Sequence, residues 1–128
     1  MAGEAAFTER ELDIMSVLWS RDSGTVTEVR EALPDELGYT SVLKMLQILE
    51  DKGMVRHEAE GRAYRYFPVV GPDEAGAHAL ARIVDKIFQG SAELALARLV
   101  TARPPDTDEI RRMQALLDEA ARRGEGDR

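Results

Sequence analysis

Apolar side chains recur at helical spacing in three short segments of the first half of the chain. The first segment, TERELDIMSVLW, has apolar residues at i, i+3 and i+7 and two more beside them: Leu12, Met15, Trp19, Ile14 and Leu18. This spacing predicts an amphipathic helix that packs one face on a core.

Threonine followed three residues later by glutamate predicts where the first two helices begin. Thr8 and Glu11 can form a capping box, in which each side chain bonds the backbone N–H of the other residue. The second segment, TVTEVREAL, repeats the pattern with Thr25 and Glu28, although Thr27 is an alternative cap. Its apolar stripe consists of Val26, Val29 and Leu33.

The third segment, GYTSVLKMLQILEDKG, separates its apolar and polar residues most clearly. With Thr40 or Ser41 as the predicted cap, one side is apolar: Val42, Met45, Leu46 and Leu49. The opposite side is mostly polar: Thr40, Lys44, Gln47, Ile48 and Asp51. Gly53 is a natural end for this helix, because glycine adopts a positive φ without strain.

The pattern then changes to that of a β-hairpin. MVRHEAE and AYRYFPV read as two strands joined by a tight EGR turn, which places Arg62 near the tip. Three short helices followed by a hairpin is the element order of a winged helix, a variant of the helix-turn-helix.

GPDEAG near residue 71 predicts a boundary, and three further amphipathic helices follow it. They end in the tail GEGDR, which we expect to be frayed. The predicted fold is therefore mostly α with a small β-hairpin wing. We expect residues 1–70 to form a winged helix-turn-helix domain and residues 71–128 to form a separate helical domain.

In a winged helix the third helix enters the major groove of DNA. Small polar and basic side chains on its outer face can meet base edges or phosphates. The candidate DNA contacts lie on the third helix and the hairpin: Thr40, Ser41, Lys44, Gln47, Ile48, Arg56, Arg62 and Arg65. Arg30 and Lys52 are further possible cations. The alternative is an ordinary solvated helix, which also has one polar face.

The charge distribution favours the same segment. The chain carries a net charge of −7. Residues 1–37 hold three basic and nine acidic residues. Residues 38–70 hold five basic and four acidic residues, and residues 71–128 hold nine basic and eleven acidic residues. Only the central segment avoids excess acidity, and binding depends on the local charge that faces the phosphates.

Other classes of function lack support in the sequence. The chain has no cysteine and two histidines, His57 and His78, with no catalytic or metal-ligand cluster around either. We therefore expect no enzyme, no metal and no cofactor. No secretory signal or apolar stretch of spanning length is visible, which predicts a soluble, cytoplasmic protein.

The combination of motifs resembles the penicillinase-repressor (BlaI/MecI) family of bacterial transcription regulators. The similarity is carried by FTERELDIMSVLW, YTSVLKMLQILEDKGMV, EGRAYRYFP and VDKIFQGSAELALARLV, and it covers residues 7 to 120. It implies that residues 1–70 are a DNA-binding domain and residues 71–128 a dimerisation domain. It further implies a homodimer that represses transcription from a palindromic operator. In much of the family a membrane-bound sensor protease cuts the repressor to end repression, so such a protease is a possible partner.

Four positions depart from the usual family pattern. Members often have Thr at the position of Lys44 and Arg at that of Ile48, so the operator can differ from the common one. Arg98 and Leu99 replace a different pair at the usual cleavage site, often Asn and Phe. The copper-responsive branch carries a C-terminal cysteine motif, which this chain lacks.

The C-terminal helices explain why a dimer is expected, because they are too small to bury their apolar faces alone. The predicted interface residues are Leu80, Ile83, Ile87, Phe88, Leu94, Leu96 and Leu99. The alternatives are a monomer that folds these helices onto the winged helix, a regulator controlled by a small ligand, and a winged helix that binds protein.

Overall fold

The computed structural model describes residues 7–126, so the ends of both predicted domains, residues 1–6 and 127–128, lie outside the described residues. The described chain contains six helices and three strands. In order they are α1 (Glu9–Arg21), β1 (Gly24–Thr25), α2 (Val26–Ala32), α3 (Tyr39–Asp51), β2 (Val55–Glu60), β3 (Ala63–Pro68), α4 (Pro72–Lys86), α5 (Ala92–Ala102) and α6 (Thr107–Gly126). The predicted order of helices and hairpin is confirmed.

Capping boxes start α1 and α2 as predicted. The Thr8 hydroxyl accepts from the Glu11 N–H at 3.1 Å, and Glu11 accepts from the Thr8 N–H at 2.8 Å. Thr25 and Glu28 form the same pair of bonds at 3.2 and 3.1 Å. The cap of α2 is therefore Thr25 and not Thr27.

The start of α3 differs from the prediction. The helix begins at Tyr39 with Gly38 as its N-cap, so Thr40 and Ser41 lie inside the first turn and cap nothing. No side chain bonds the first N–H groups of α3, and its first turn holds no acidic residue. At the other end Gly53 has a φ of 79°, the left-handed conformation that the sequence predicted for a glycine there.

The sheet has one strand more than the sequence predicted. The strand order is β1-β3-β2, and both pairings are antiparallel. β1 places Gly24 opposite Tyr66, directly before α2. Two residues are too few for an alternating pattern, so β1 left no periodic signal in the sequence.

The core of the winged helix joins the apolar faces of the first three helices to the sheet. Its fully buried side chains are Ile14, Met15, Leu18, Val29, Val42, Leu46, Leu49 and Tyr66. Leu12 was placed on the core face of α1 but is 41% exposed, because the helix turns it away from Ile14 and Leu18. Trp19 is half-buried, and its indole N–H donates to the Val70 carbonyl at 2.8 Å.

α4 begins earlier than expected. The predicted boundary segment forms its first turn, because Pro72 suits the first helical position and Asp73 and Glu74 favour the N-terminus. The chain divides into two compact units after Arg82, inside α4. The assignment of DNA binding and dimerisation to residues 1–70 and 71–128 stays a prediction.

The last two helices bury little by themselves. No residue of α5 or α6 is buried, although both helices carry apolar stripes. α6 continues through Gly126, so the prediction that the tail is frayed is wrong for residues 124–126, and the rest of that tail lies outside the described residues.

Candidate nucleic-acid interface

The outer face of α3 is exposed and largely polar. After Tyr39, which begins the helix and is itself exposed, the exposed residues are Thr40, Ser41, Lys44, Gln47, Ile48 and Asp51. They recur every three or four residues, so they share the side of the helix opposite the core. The Lys44 side chain has no hydrogen bond or ion pair within residues 7–126. This cation is available to a ligand.

The beginning of α3 leaves backbone donors unused. Because Gly38 offers no side-chain cap, no side chain bonds the N–H groups of Tyr39, Thr40 and Ser41. A helix N-terminus also carries a partial positive charge, and here no acid in the first turn offsets it. The end of the helix that bears Thr40 and Ser41 therefore attracts anions such as phosphate.

The C-terminal end of α3 is tied to α1 by a nearly buried carboxylate. The Lys52 ammonium donates to both Glu11 oxygens at 2.8 and 3.1 Å, and Glu11 is 4% exposed. Burial raises the pKa of Glu11, but the bonds from Lys52 and from the Thr8 N–H together outweigh it and hold the pKa below its ordinary value. Glu11 therefore stays ionised and fixes Lys52.

A second contact joins α3 to the hairpin. His57 of β2 lies 2.7 Å from a Glu50 oxygen through its Nδ1. The ring of His57 also lies against two tyrosines of β3, with centroids 4.5 Å from Tyr64 and 5.6 Å from Tyr66. These contacts set the position of the hairpin relative to α3.

A third contact joins the hairpin to α2 through Arg65. Its guanidinium donates to both oxygens of Glu28 at 2.9 and 3.3 Å, to both oxygens of Glu60 at 2.8 and 2.9 Å, and to the Ser23 hydroxyl at 3.2 Å. An arginine has five N–H donors, so all of them are used. The bonds from Arg65 and from the Thr25 N–H hold the pKa of Glu28 below its ordinary value.

The tip of the hairpin presents another cation. Gly61, with a φ of 62°, turns the chain between β2 and β3, and exposed Arg62 follows it. Within residues 7–126 Arg62 forms no ion pair. Arg56, nearer the base of β2, pairs with Glu58 and lies 4.3 Å above the Phe67 ring.

The structure therefore divides the predicted cations into two groups. Lys44 and Arg62 have no charged partner among the described residues, and the same is true of the additional candidate Arg30. Lys52, Arg56 and Arg65 are held by Glu11, by Glu58, and by Glu28 with Glu60. The sequence could not reveal the pairs Lys52–Glu11 and Arg65–Glu28, because their members are 41 and 37 residues apart along the chain.

Other kinds of site find no support in the described part of the chain. It contains no group of three or more His, Asp or Glu residues that could hold a metal ion. None of its helices is both long and apolar enough to cross a membrane. His57 lies on the edge strand β2 and His78 is exposed on α4.

Comparison with known proteins identifies this arrangement. A profile of the penicillinase repressor family matches residues 7–119. The transcriptional regulator BlaI of Mycobacterium tuberculosis is 38% identical over 126 aligned residues, which cover 92% of this chain and 89% of that protein. The chain belongs to the penicillinase repressor family.

Solved structures agree with this assignment. The solution structure of the DNA-binding domain of the repressor BlaI is 27% identical, with a TM-score of 0.51, and the match covers 56% of this chain and 89% of that domain. A mutant of MarR from E. coli matches 90% of this chain and 78% of its own with a TM-score of 0.50, but at 15% identity it shows the fold alone. The predicted winged-helix fold and family are confirmed. Because the relatives are transcriptional regulators, the expectation that this chain is not an enzyme is confirmed as well.

Proposed function

We propose that this family member is a transcriptional repressor that binds an inverted-repeat operator as a homodimer, with α3 in the major groove and the hairpin along the backbone. The observation that carries the proposal is the outer face of α3, which is exposed, polar and supported by a rigid core. The relationship to BlaI and to the DNA-binding domain of the repressor BlaI supports it.

The roles follow from position and chemistry. Lys44, Gln47 and Ile48 lie in the middle of the exposed face, where side chains of a recognition helix reach base edges. Thr40 and Ser41 lie in the first turn, beside N–H groups that no side chain caps, and contact a phosphate. The N-terminus of α3 thereby fixes the register of the helix on the duplex.

The arginines of the hairpin divide into contacting and positioning residues. Arg62 at the tip contacts phosphate, since its charge has no partner among the described residues. Arg65 would have to give up one of its five bonds to reach DNA. Arg65 therefore positions the hairpin, and Arg56, which pairs with Glu58, contributes less to binding than Arg62.

The chain is acidic overall, and few of its candidate cations are available to contact DNA. A strongly acidic protein disfavours indiscriminate binding to DNA, because the polyanions repel each other. Few phosphate contacts per subunit leave a larger share of the affinity to the base contacts. The result is a modest affinity for random DNA and a high ratio of specific to non-specific binding.

The apolar surface of the C-terminal helices supports the homodimer. Five of the seven predicted interface residues are strongly exposed in the single chain: Leu80 at 59%, Ile83 at 44%, Ile87 at 67%, Leu94 at 40% and Leu99 at 54%. Phe88 and Leu96 are half-buried. A two-fold interface covers both copies of such a surface at once.

Release from DNA by a membrane-bound sensor protease would require a change in α5. Arg98 and Leu99 lie inside this helix, which runs from Ala92 to Ala102. Proteases bind extended chain, so α5 would first have to unwind around these residues. The repressor itself acts where the DNA is, in the bacterial cytoplasm.

Selection of genomic fragments by the purified protein, followed by sequencing, tests the function. The expected product is one inverted repeat. Lys44→Glu should abolish the enrichment, whereas Lys86→Glu, the same charge change at an exposed position of α4, should preserve it. Recovery of no common sequence, or equal enrichment by the two variants, would refute operator binding through α3.

A further inference from the structure

Ile48 is the exception on the outer face of α3. The other exposed residues from Thr40 to Asp51 are polar or charged, whereas Ile48 is a branched hydrocarbon that is 37% exposed. Lys44 lies one helical turn before Ile48, and Gln47 directly precedes it. An apolar group therefore lies in the middle of the surface proposed to face the bases.

The helix holds this side chain in a fixed place. Val42, Leu46 and Leu49 anchor α3 with fully buried side chains, and Ile48 lies next to the last of them. A β-branched side chain in a helix is nearly restricted to one χ1 rotamer. Restriction of χ1 fixes the position of the Cγ2 methyl group of Ile48, which favours a defined contact with a base.

Exposure alone assigns nothing, since single exposed hydrophobic residues are common on protein surfaces. Leu12 is similarly exposed, at 41%, but it lies on α1 and not on the outer face of α3. Ile48 differs because it belongs to the exposed face that carries Lys44 and Gln47. The major groove has one apolar feature on its base edges, the C5 methyl group of thymine.

We propose that Ile48 is a specificity-determining residue that contacts the C5 methyl group of one thymine in each half-site. The inference rests on the proposed function, because it takes α3 to be the helix in the major groove. Burying the two hydrocarbon surfaces together favours thymine over cytosine at that position. The contact requires no charge and is insensitive to salt.

The position of Lys44 limits where this thymine lies. Four residues of helix separate Lys44 from Ile48, a rise of about 6 Å. Successive base pairs are about 3.4 Å apart, so the thymine lies within about two base pairs of the base that faces Lys44.

Replacing the thymines of the selected operator with uracil, one symmetric pair at a time, tests the contact. Uracil lacks only the methyl group, so pairing is unchanged. The wild-type protein should lose roughly three- to tenfold in affinity at one position of the half-site, which corresponds to one lost methyl contact in each half. At that position Ile48→Ala should bind the thymine and uracil operators equally, while Leu12→Ala should behave as the wild type does.

The opposite methyl change checks the same contact without a protein variant. With cytosine at the identified position, 5-methylcytosine should recover part of the affinity, because it restores the C5 methyl group. The assignment would be overturned if no thymine-to-uracil replacement lowered the affinity of the wild-type protein. It would also be overturned if the replacement lowered the affinity of Ile48→Ala as much as that of the wild type. Either result would leave the repressor function intact. Failure to select any operator would overturn both.

Discussion

In the proposed complex, Lys44 is a candidate for distinguishing one operator sequence from another. It lies one turn into α3, is exposed, and has no partner among the described residues. A lysine in this place can donate to O6 and N7 of guanine, whereas a phosphate contact would carry no sequence information. Helical periodicity was enough to place Lys44 on the outer face before the fold was known.

Lys44→Thr separates these two roles. If Lys44 reads a guanine in each half-site, the variant should bind the native operator more weakly by roughly 1–3 kcal/mol per contact and lose the preference at that base pair. Affinities for all single-base-pair variants of the operator, measured with both proteins, give the answer. A uniform loss with every base preference intact would show that Lys44 only contacts phosphate.

The ion pair between Glu11 and Lys52 connects α1 to the C-terminal end of α3 and can be tested by substitution. Glu11→Gln keeps an acceptor for the Thr8 N–H but removes the charge that Lys52 faces, so we expect a loss of about 1–3 kcal/mol in the free energy of unfolding at neutral pH. The folded-state pKa of Glu11 is lowered, so its contribution is present above the unfolded-state pKa and is lost as the pH falls through the folded-state pKa.

Urea unfolding at neutral and acidic pH measures this effect. The difference between wild type and Glu11→Gln should shrink on acidification. Glu9→Gln, an exposed carboxylate of the same helix, is the control and should cost little at either pH. A difference that is independent of pH would contradict the role of the Glu11 charge.

At the scale of elements, the hairpin and α3 work as one unit because side chains tie them together and to α2. The sequence predicted the helices and strands, but not the ion pairs that connect them. Arg65 and Glu28 are 37 residues apart, and Lys52 and Glu11 are 41 apart, so no local pattern records either pair. The predicted start of α3 was wrong. Thr and Ser are preferred as helix caps, but the helix begins one residue before Thr40, with Gly38 as its N-cap.

Two arginines of the hairpin should respond differently to the same substitution. Arg62→Ala should weaken binding to all sequences and reduce the slope of log affinity against log salt by about one unit for each subunit bound. Arg65→Ala should weaken binding without that change in slope, because Arg65 acts through Glu28 and Glu60. Salt titrations of both variants decide this, and equal reductions in slope would show that Arg65 also contacts phosphate.

In the molecule as a whole, the C-terminal helices expose many of their large apolar side chains. The sequence predicted their apolar stripes because those repeat at helical spacing. It could not show that α5 and α6 would leave every residue unburied in the single chain. In the proposed homodimer the partner surface belongs to a second copy of the chain, which one sequence specifies only through self-complementarity.

Leu99→Asn should therefore weaken self-association. Leu99 is 54% exposed, so the change should affect the dimer more than the fold of the single chain. Arg98→Asn, at the preceding exposed position, is the matched control and should remain dimeric. Analytical ultracentrifugation at micromolar concentration measures both, and an unchanged dimer in Leu99→Asn would place the interface elsewhere.

In the proposed complex, two copies of α3 joined by the C-terminal helices bind the two halves of one operator together. Inserting five base pairs between the halves of the selected operator rotates one half to the opposite face of the duplex, since a turn takes about 10 base pairs. The affinity should then fall to that of an isolated half-site. An affinity equal to that of the native operator would show that each half is bound independently and would contradict the account.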